Sequence, residues 1–350
     1  MKKNKIVKLK DIARFTAGQS PESKYYSQNN LFTPFLQGSK TFGRLYPKIY
    51  TYTSKITRIA KKGDILISVR APIGDLNIAK SDVCIGRGLG AIRGINIPNK
   101  YIYFILKNNI NNLIKKGSGT TFSSISVDEI LNMDLLVPLK NLEEIGEFLW
   151  KIETKIEINN KINDNLEKQM SFIYDFQISK MNGKFVQSKD ISYITNGKQD
   201  ANFASKNGKY NFFTCSTETL KCDDFAFDNS AILIAGNGDF NVKHYIGKFN
   251  SYQRTYVLIP NNNFFSILYL GSLNATRKFR LNSNGSIIKF ITKKDVENIP
   301  VFIPRNIKIL NTLNNLIHLK ENKINEIENL KRIKDFLLPL LMNGQAEIDD

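Results

Sequence analysis

The sequence predicts an α+β protein: two tandem-repeated globular domains joined by two long antiparallel coiled-coil helices, with pseudo-two-fold symmetry. Three observations predict it. Short motifs recur in the same order along the chain, strand-rich segments alternate with long heptad-patterned ones, and the excess positive charge sits only on the strand-rich segments.

The repeat carries the most weight. Val7 to Gly18 (VKLKDIARFTAG) resembles Val186 to Gly197 (VQSKDISYITNG), and Ile65 to Ile67 matches Ile232 to Ile234. Gly74 to Ile78 (GDLNI) recurs as Gly238 to Val242 (GDFNV), and Ile125 to Pro138 (ISVDEILNMDLLVP) as Ile291 to Pro304 (ITKKDVENIPVFIP). Asn160 to Asn163 (NKIN) returns unchanged at Asn322 to Asn325, and Met181 to Gly183 (MNG) at Met342 to Gly344. Any one match could be chance; the ordered series marks a tandem duplication.

Four segments follow in chain order. Residues 1–140 form the first domain, 141–182 the central spacer helix, 183–305 the second domain and 306–350 the C-terminal spacer helix. The domains carry short β-branched and aromatic runs broken by Gly, Asn and Ser, such as Asp64 to Arg70 and Arg254 to Pro260, which read as strands. Short helices are expected at Tyr101 to Asn109 and near Phe264 to Leu270. The central spacer shows a heptad stripe through Ile145, Leu149, Ile152, Ile156, Asn159, Asn163, Leu166, Met170 and Ile173. The second begins Leu313, Ile317, Lys320, Ile324, Ile327, then resumes out of phase at Leu330, Ile333 and Leu337. Each helix would span about 50–55 Å at ~1.5 Å per residue. If they pair antiparallel, the two NKIN segments meet, and Asn159, Asn163, Asn322 and Asn325 are candidates to fix the register; exposed polar turns are the other reading.

Charge narrows the function. The chain has 50 Lys and Arg against 32 Asp and Glu, a net of +18. Residues 1–140 carry +15 and 183–305 carry +7, whereas 141–182 carry −3 and 306–350 carry −1. A uniformly basic composition would tint every segment; charge confined to two modules fits a polyanion partner gripped at two places. No apolar run approaches a membrane span, and no apolar signal core follows the basic N-terminus, so a cytoplasmic protein without membrane contact is expected. Cys84, Cys215 and Cys222 form no ligand spacing and suit reduced thiols.

Several motifs resemble one family. Lys8 to Ala13 (KLKDIA), Gly63 to Ser68 (GDILIS), Gly117 to Ile125 (GSGTTFSSI), the run ending Leu135 to Pro138 (LLVP) before a long helix, and Leu337 to Leu341 (LLPLL) followed by Asn343 and Gly344 resemble the DNA specificity subunit of Type I restriction–modification enzymes. The resemblance covers essentially the whole chain; no single motif is specific, but their order and duplication are. It implies two target-recognition domains, each reading half of a bipartite site on double-stranded DNA, and a helical spacer that binds two modification (methyltransferase) subunits, which two restriction subunits join in some complexes. It further implies that S-adenosylmethionine, Mg and ATP belong to those partners, and that this chain binds no cofactor or metal. The second domain departs from the pattern: it is weaker in charge and has Asn282 to Ser286 (NSNGS) where the first has its Gly-Ser-Gly-Thr run, so the first domain is expected to dominate affinity.

Catalytic readings find little support. The chain has no Pro-Pro for a methyltransferase loop, and Gly86 to Gly90 (GRGLG) precedes a strand-like segment rather than opening a helix. Two histidines, His244 and His318, are too few for a His-based metal nuclease or a zinc finger. The expected role is therefore a non-catalytic DNA reader. A coiled-coil adaptor, or a DNA-modifying enzyme with an unrecognised site, stays open as an alternative.

DNA contacts are expected from basic residues in turn-rich stretches. In the first domain these are Lys40, Arg44, Arg58, Arg70, Arg87, Lys115 and Lys116, with Ser118, Thr120 and Ser123 as phosphate or base-edge donors. In the second they are Lys198, Lys206, Lys209, Lys243, Lys248, Arg254, Arg277 and Arg280. Arg can bind guanine edges bidentately and Asn or Gln adenine, whereas Lys mostly positions the backbone. Solvated surface charge is the competing reading for each, and Arg70 could instead pair with Asp64 or Asp75.

Overall fold

A computed structural model describes residues 4–117, 124–261, 263–281 and 290–348. The chain divides into two compact units, Met1–Ile158 with Ile327–Asp350, and Asn159–Glu326.

Both units are built in one order. A strand (Asn4–Lys8 or Gly183–Gln187) leads into a one-turn helix (Leu9–Ile12 or Ser188–Ile191) and a second strand (Ala13–Ala17 or Ser192–Asn196). The first strand pairs antiparallel with the last strand of its unit, Asp134–Pro138 or Pro300–Pro304, with Ile6 opposite Leu136 and Phe185 opposite Phe302. The second strand edges a central sheet, pairing with Leu89–Gly94 in unit 1 and Thr255–Pro260 in unit 2. One helix, Asn99–Gly117 or Phe265–Leu281, follows that strand and is longer than the sequence suggests. A short capped helix comes next. Ser126 and Glu129 form its capping box in unit 1, and Thr292 and Asp295 in unit 2, which explains why this Ser/Thr-x-x-acid spacing occurs in both repeats.

The sheets differ in continuity. Unit 2 has one six-stranded sheet whose members include the long strands Phe227–Ala235 and Val242–Ser251. Unit 1 breaks the same path into shorter strands, Ile59–Ala60 with Ile65–Ser68 and Leu76–Ile78 with Val83–Ile85, and distributes them over a four-stranded and a five-stranded sheet.

The spacer helices span Leu142–Ser179 and Ile307–Met342, and each contributes to the cores of both units. In unit 1, Ile145 and Leu149 share a core with Leu338, Leu341 and Met342, while Ile152 and Ile156 pack on Ile327. In unit 2, Met170 and Tyr174 share a core with Leu310, Leu313 and Ile317. Within each unit the helix segments therefore run antiparallel. Gly146 lies inside the first helix, where a Cβ would come within 2.9 Å of the Tyr101 backbone nitrogen; the glycine lets the two helices of unit 1 approach.

The heptad reading holds through Met170, after which Tyr174 and Gln177 are buried in place of Ile173. The expected phase break in the second helix is overturned. Buried positions run Leu313, Ile317, Lys320, Ile327, Lys334, Leu338 and Leu341, in unbroken heptad phase, and Ile333 is 45% exposed. Lysine occupies the seam because a carboxylate meets it: Lys334 Nζ lies 2.7 Å from Glu153, and Lys320 pairs with Glu167. Lys107 reaches the other Glu153 oxygen at 3.1 Å. Burial pushes the Glu153 carboxyl up, but the charges and hydrogen bonds of Lys107 and Lys334 outweigh it and hold it below its ordinary value.

The register assignment of the asparagines also needs correction. Asn159 and Asn163 are buried, whereas Asn322 and Asn325 are exposed, because they fall outside the buried stripe of their helix. Neither amide atom of Asn159 finds a hydrogen-bond partner among the described residues. The Glu153–Lys334 and Glu167–Lys320 pairs are polar contacts that tie the seam. Among the described residues, no helix is long and apolar enough to cross a membrane.

Candidate nucleic-acid interface

In each unit, four loops converge beside the central sheet through backbone hydrogen bonds, and the bonds repeat. The Gly18 N–H donates to the Leu89 carbonyl as Gly197 donates to Thr255, and Gln19 to Ile85 as Lys198 to Ser251. Gly86 donates to Leu36 as Tyr252 does to Phe213, Val69 to Gly88 as Gly236 to Arg254, and Ile125 to Val69 as Ile291 to Gly236. A four-residue turn sits at the centre, closed by Leu89 N–H on Gly86 in unit 1 and Thr255 N–H on Tyr252 in unit 2. Arg87 and Gln253 occupy the same position of that turn. The duplicated sequence thus keeps one backbone frame while the side chains on it differ.

Close packing holds the unit 1 frame. A Cβ on Gly18 would stand 2.1 Å from the Gly86 carbonyl oxygen, and one on Gly88 2.7 Å from that of Gln37. The Arg87 N–H also donates to Ser20 Oγ at 3.2 Å. Around this frame the exposed Arg58, Arg70, Arg87 and Lys40 come together. The Arg58 carbonyl accepts from Ile85, Arg70 forms a bridge with Ser124, and Lys40 lies in the single turn Ser39–Thr41 that follows Gln37. None of these four makes an ion pair with a carboxylate among the described residues; Asp64, considered for Arg70, pairs with Arg93 at 2.5 Å. Four unneutralised cations on a fixed backbone suit phosphate and base-edge contacts.

The unit 2 frame is less cationic. Lys198 and Arg254 are exposed on it. Gln253 is exposed beside them, and its Nε2 donates to Asp200 at 2.7 Å. Lys243, expected to contact DNA, is turned inward instead. Its ammonium donates to the Ser216 carbonyl at 2.5 Å and stands 5.7 Å from the Phe213 ring centre, and burial pushes its pKa down to about 8. Arg280 is likewise spent on backbone, donating from Nε to the Asp239 carbonyl at 2.5 Å.

Other expected contacts lie off the frames. Lys209 and Lys248 sit over the Tyr210 and Phe225 rings, and Arg277 lies on the helix Phe265–Leu281 beside a cavity of about 650 Å³ lined by Tyr174, Phe185 and Phe279. Lys206 is on an exposed loop, and Arg44 belongs to a loop tied to the strand Leu76–Ile78 through Leu45 and Gly43. The side chains of Lys115 and Lys116, and Ser118, Thr120 and Ser123 altogether, lie outside the described residues. The frame adds positions that sequence reasoning passed over: Gln19, Gln37, Gln199, Thr214, Asn237 and Gln253. For Gln19 and Gln199 the signal was available, since Gly18 and Gly197 align in the repeat and the residues after each fall on the frame.

Comparison with known proteins agrees with this duplicated architecture. The 37%-identical EcoDI specificity subunit of a Type I restriction enzyme from Escherichia coli matches 46% of this chain and 38% of its own length. A putative Type I restriction enzyme MjaX specificity subunit from Methanocaldococcus jannaschii is also 37% identical, over 43% of this chain and 36% of its own. The chain thus matches under two fifths of the length of those two curated relatives. The MjaIX specificity subunit of the same archaeon is 22% identical across 99% of this chain and 94% of its own. The fold is shared with the crystal structure of a Type I restriction–modification S subunit from M. genitalium, with a TM-score of 0.64 at 15% identity over 99% of this chain and 97% of that one. The profile of the Type I restriction modification DNA specificity domain matches residues 1–168 and again 180–329. With both repeats matched, the chain belongs to the family of Type I restriction–modification DNA specificity domains.

Proposed function

We propose that this chain is the non-catalytic specificity subunit of a Type I restriction–modification complex, and that it directs adenine methylation to a bipartite site on double-stranded DNA. Each unit reads one half-site through its loop frame, and the spacer helices hold two methyltransferase subunits. Restriction subunits join where the system also cleaves. S-adenosylmethionine, Mg and ATP are bound by those partners, and the complex works in the cytoplasm, where the chromosome is.

The observation that carries this reading is the duplicated frame with unneutralised arginines on it. Charge at such positions gains by releasing counterions from phosphates, and a fixed backbone lets side chains discriminate between base edges. The spacer suits protein partners because its charges are mixed in sign and it exposes large apolar side chains, among them Phe172 and Phe176 on the first helix and Phe336 on the second.

The test is methylome sequencing of host DNA with the gene intact and deleted. Loss of adenine methylation at one bipartite motif of fixed gap is the expected result. An unchanged methylome, with the partner subunits expressed and active, overturns the proposal.

A further inference from the structure

The shared frame allows a comparison that composition cannot make: which side chains stand at equivalent positions of the two units. At the turn position, Arg87 of unit 1 is replaced by Gln253 of unit 2. At the neighbouring position, set by the equivalent bonds of Val69 and Gly236, Arg70 is replaced by Asn237. Both positions change in the same chemical direction, from guanidinium to carboxamide. Those two groups complement different bases in the major groove. A guanidinium donates two hydrogen bonds to guanine O6 and N7, while a carboxamide donates to adenine N7 and accepts from its N6 amino group.

The surroundings prepare each group for that task. Arg87 has its backbone N–H held by Ser20, lies between two closely packed glycines, and meets no carboxylate among the described residues. Gln253 has its carboxamide oriented by Asp200, which can only accept, so the amide nitrogen must face it. The second hydrogen on Nε2 and the carbonyl oxygen remain for a base. Asp200 also disfavours a phosphate at this spot, which leaves Gln253 better suited to a base edge than to the backbone.

We propose that Arg87 and Gln253 are the base-reading residues at the centre of the two units, with Arg70 and Asn237 beside them, so that unit 1 selects guanine and unit 2 selects adenine at equivalent positions of the two half-sites. The inference rests on the DNA-reading role proposed above. It makes the bipartite site chemically asymmetric although the readers are duplicates.

The test is selection from a random double-stranded DNA pool by the full chain together with its methyltransferase subunits, for the unsubstituted protein and for Arg87→Gln, Arg87→Lys and Gln253→Arg. The unsubstituted protein should enrich one bipartite sequence. Arg87→Gln should lose a guanine preference of roughly five- to one-hundred-and-fifty-fold at a single base pair of one half-site. The other half-site should stay unchanged. Arg87→Lys, which keeps the charge but not the planar fork, should lose the same preference. Gln253→Arg should replace adenine by guanine at one base pair of the other half-site. A motif unchanged by Arg87→Gln, or an affinity lowered equally for all sequences, sinks the base-reading assignment while leaving the DNA-reading role intact. Full guanine preference in Arg87→Lys does the same. Enrichment of no sequence by the unsubstituted protein overturns both readings.

Discussion

The seam pair Glu153–Lys334 gives a sharp test of how the spacer is held. Lys334 Nζ donates to Glu153 at 2.7 Å with both side chains almost fully buried, whereas Lys107, on the other carboxylate oxygen, keeps about a third of its surface in solvent. Glu153→Leu therefore strands one ammonium in the seam and leaves the other able to reach water. Removing one partner of a buried pair costs about 3–5 kcal/mol, and the stranded Lys334 places this variant in that range. Glu153→Leu with Lys334→Met replaces the pair by apolar groups of similar size, so the double variant should recover to within about 1–2 kcal/mol of the parent. Urea unfolding of the parent, Glu153→Leu, Lys334→Met alone and the double variant at pH 7 measures the cycle. Trp150, the sole tryptophan, packs at 5.9 Å from Tyr103 and 6.4 Å from Phe104, so its fluorescence follows unit 1. A single-variant cost below about 1 kcal/mol, or a double variant no better than Glu153→Leu, would refute the account of the seam. With this pair replaced, the seam of unit 1 should also lose register selectivity, as coiled coils do when a buried polar pair is removed.

Three further outcomes follow from the geometry. Burial, only partly offset by Glu321, holds His244 below its ordinary value of 6.5, so below that pH the unfolded chain takes up a proton the folded chain resists. Stability should therefore fall as pH drops from 6.5, and again below 4.5 as Glu153 and Glu167, held low by their lysines against the upward push of burial, are forced to protonate. Urea midpoints across pH 4–7.5 check the sign, and His244→Asn should flatten the upper part. Gly18→Ala, whose Cβ would meet backbone oxygen at 2.1 Å, should cost about 1–3 kcal/mol in thermal unfolding, while Gly38→Ala, with nothing within 4 Å, should be silent. Lys40→Ala should weaken binding to all duplexes alike and reduce the slope of log affinity against log salt by about one.

The sequence made the large features legible because they are periodic. Both spacer helices and the duplication follow from spacing alone, since heptad stripes and ordered motif repeats are read directly along the chain. What misled was chemistry against type. Lys334 sits in the seam as Lys320 does, and a reading that puts a hydrophobic residue at its position moves the stripe to Ile333, which is exposed. Their carboxylate partners lie on the other helix, more than a hundred residues away. The candidate contacts were less legible still. Lys243 and Arg280 look like any other basic residue in a turn-rich stretch, yet their donors are committed to carbonyls that only the folded backbone brings near. Gln253 had no charge to attract notice, and only the repeated hydrogen-bond pattern puts it where Arg87 stands.

The two frames also bear on how affinity is divided. Unit 1 keeps four uncommitted cations around its frame, whereas unit 2 keeps Lys198 and Arg254, carries Asp200 among them, and turns Lys243 inward. The frames thus carry part of the difference in net charge between the two sequence segments. Counterion release scales with the phosphates neutralised, so salt should weaken the contact of unit 1 with its half-site more steeply than that of unit 2. Duplexes carrying only one intact half-site separate the contributions: the one keeping the half-site altered by Arg87→Gln should bind more tightly at low salt and show the steeper slope. Equal slopes would mean that charges away from the frames govern the electrostatics, and that the frame arginines serve discrimination alone.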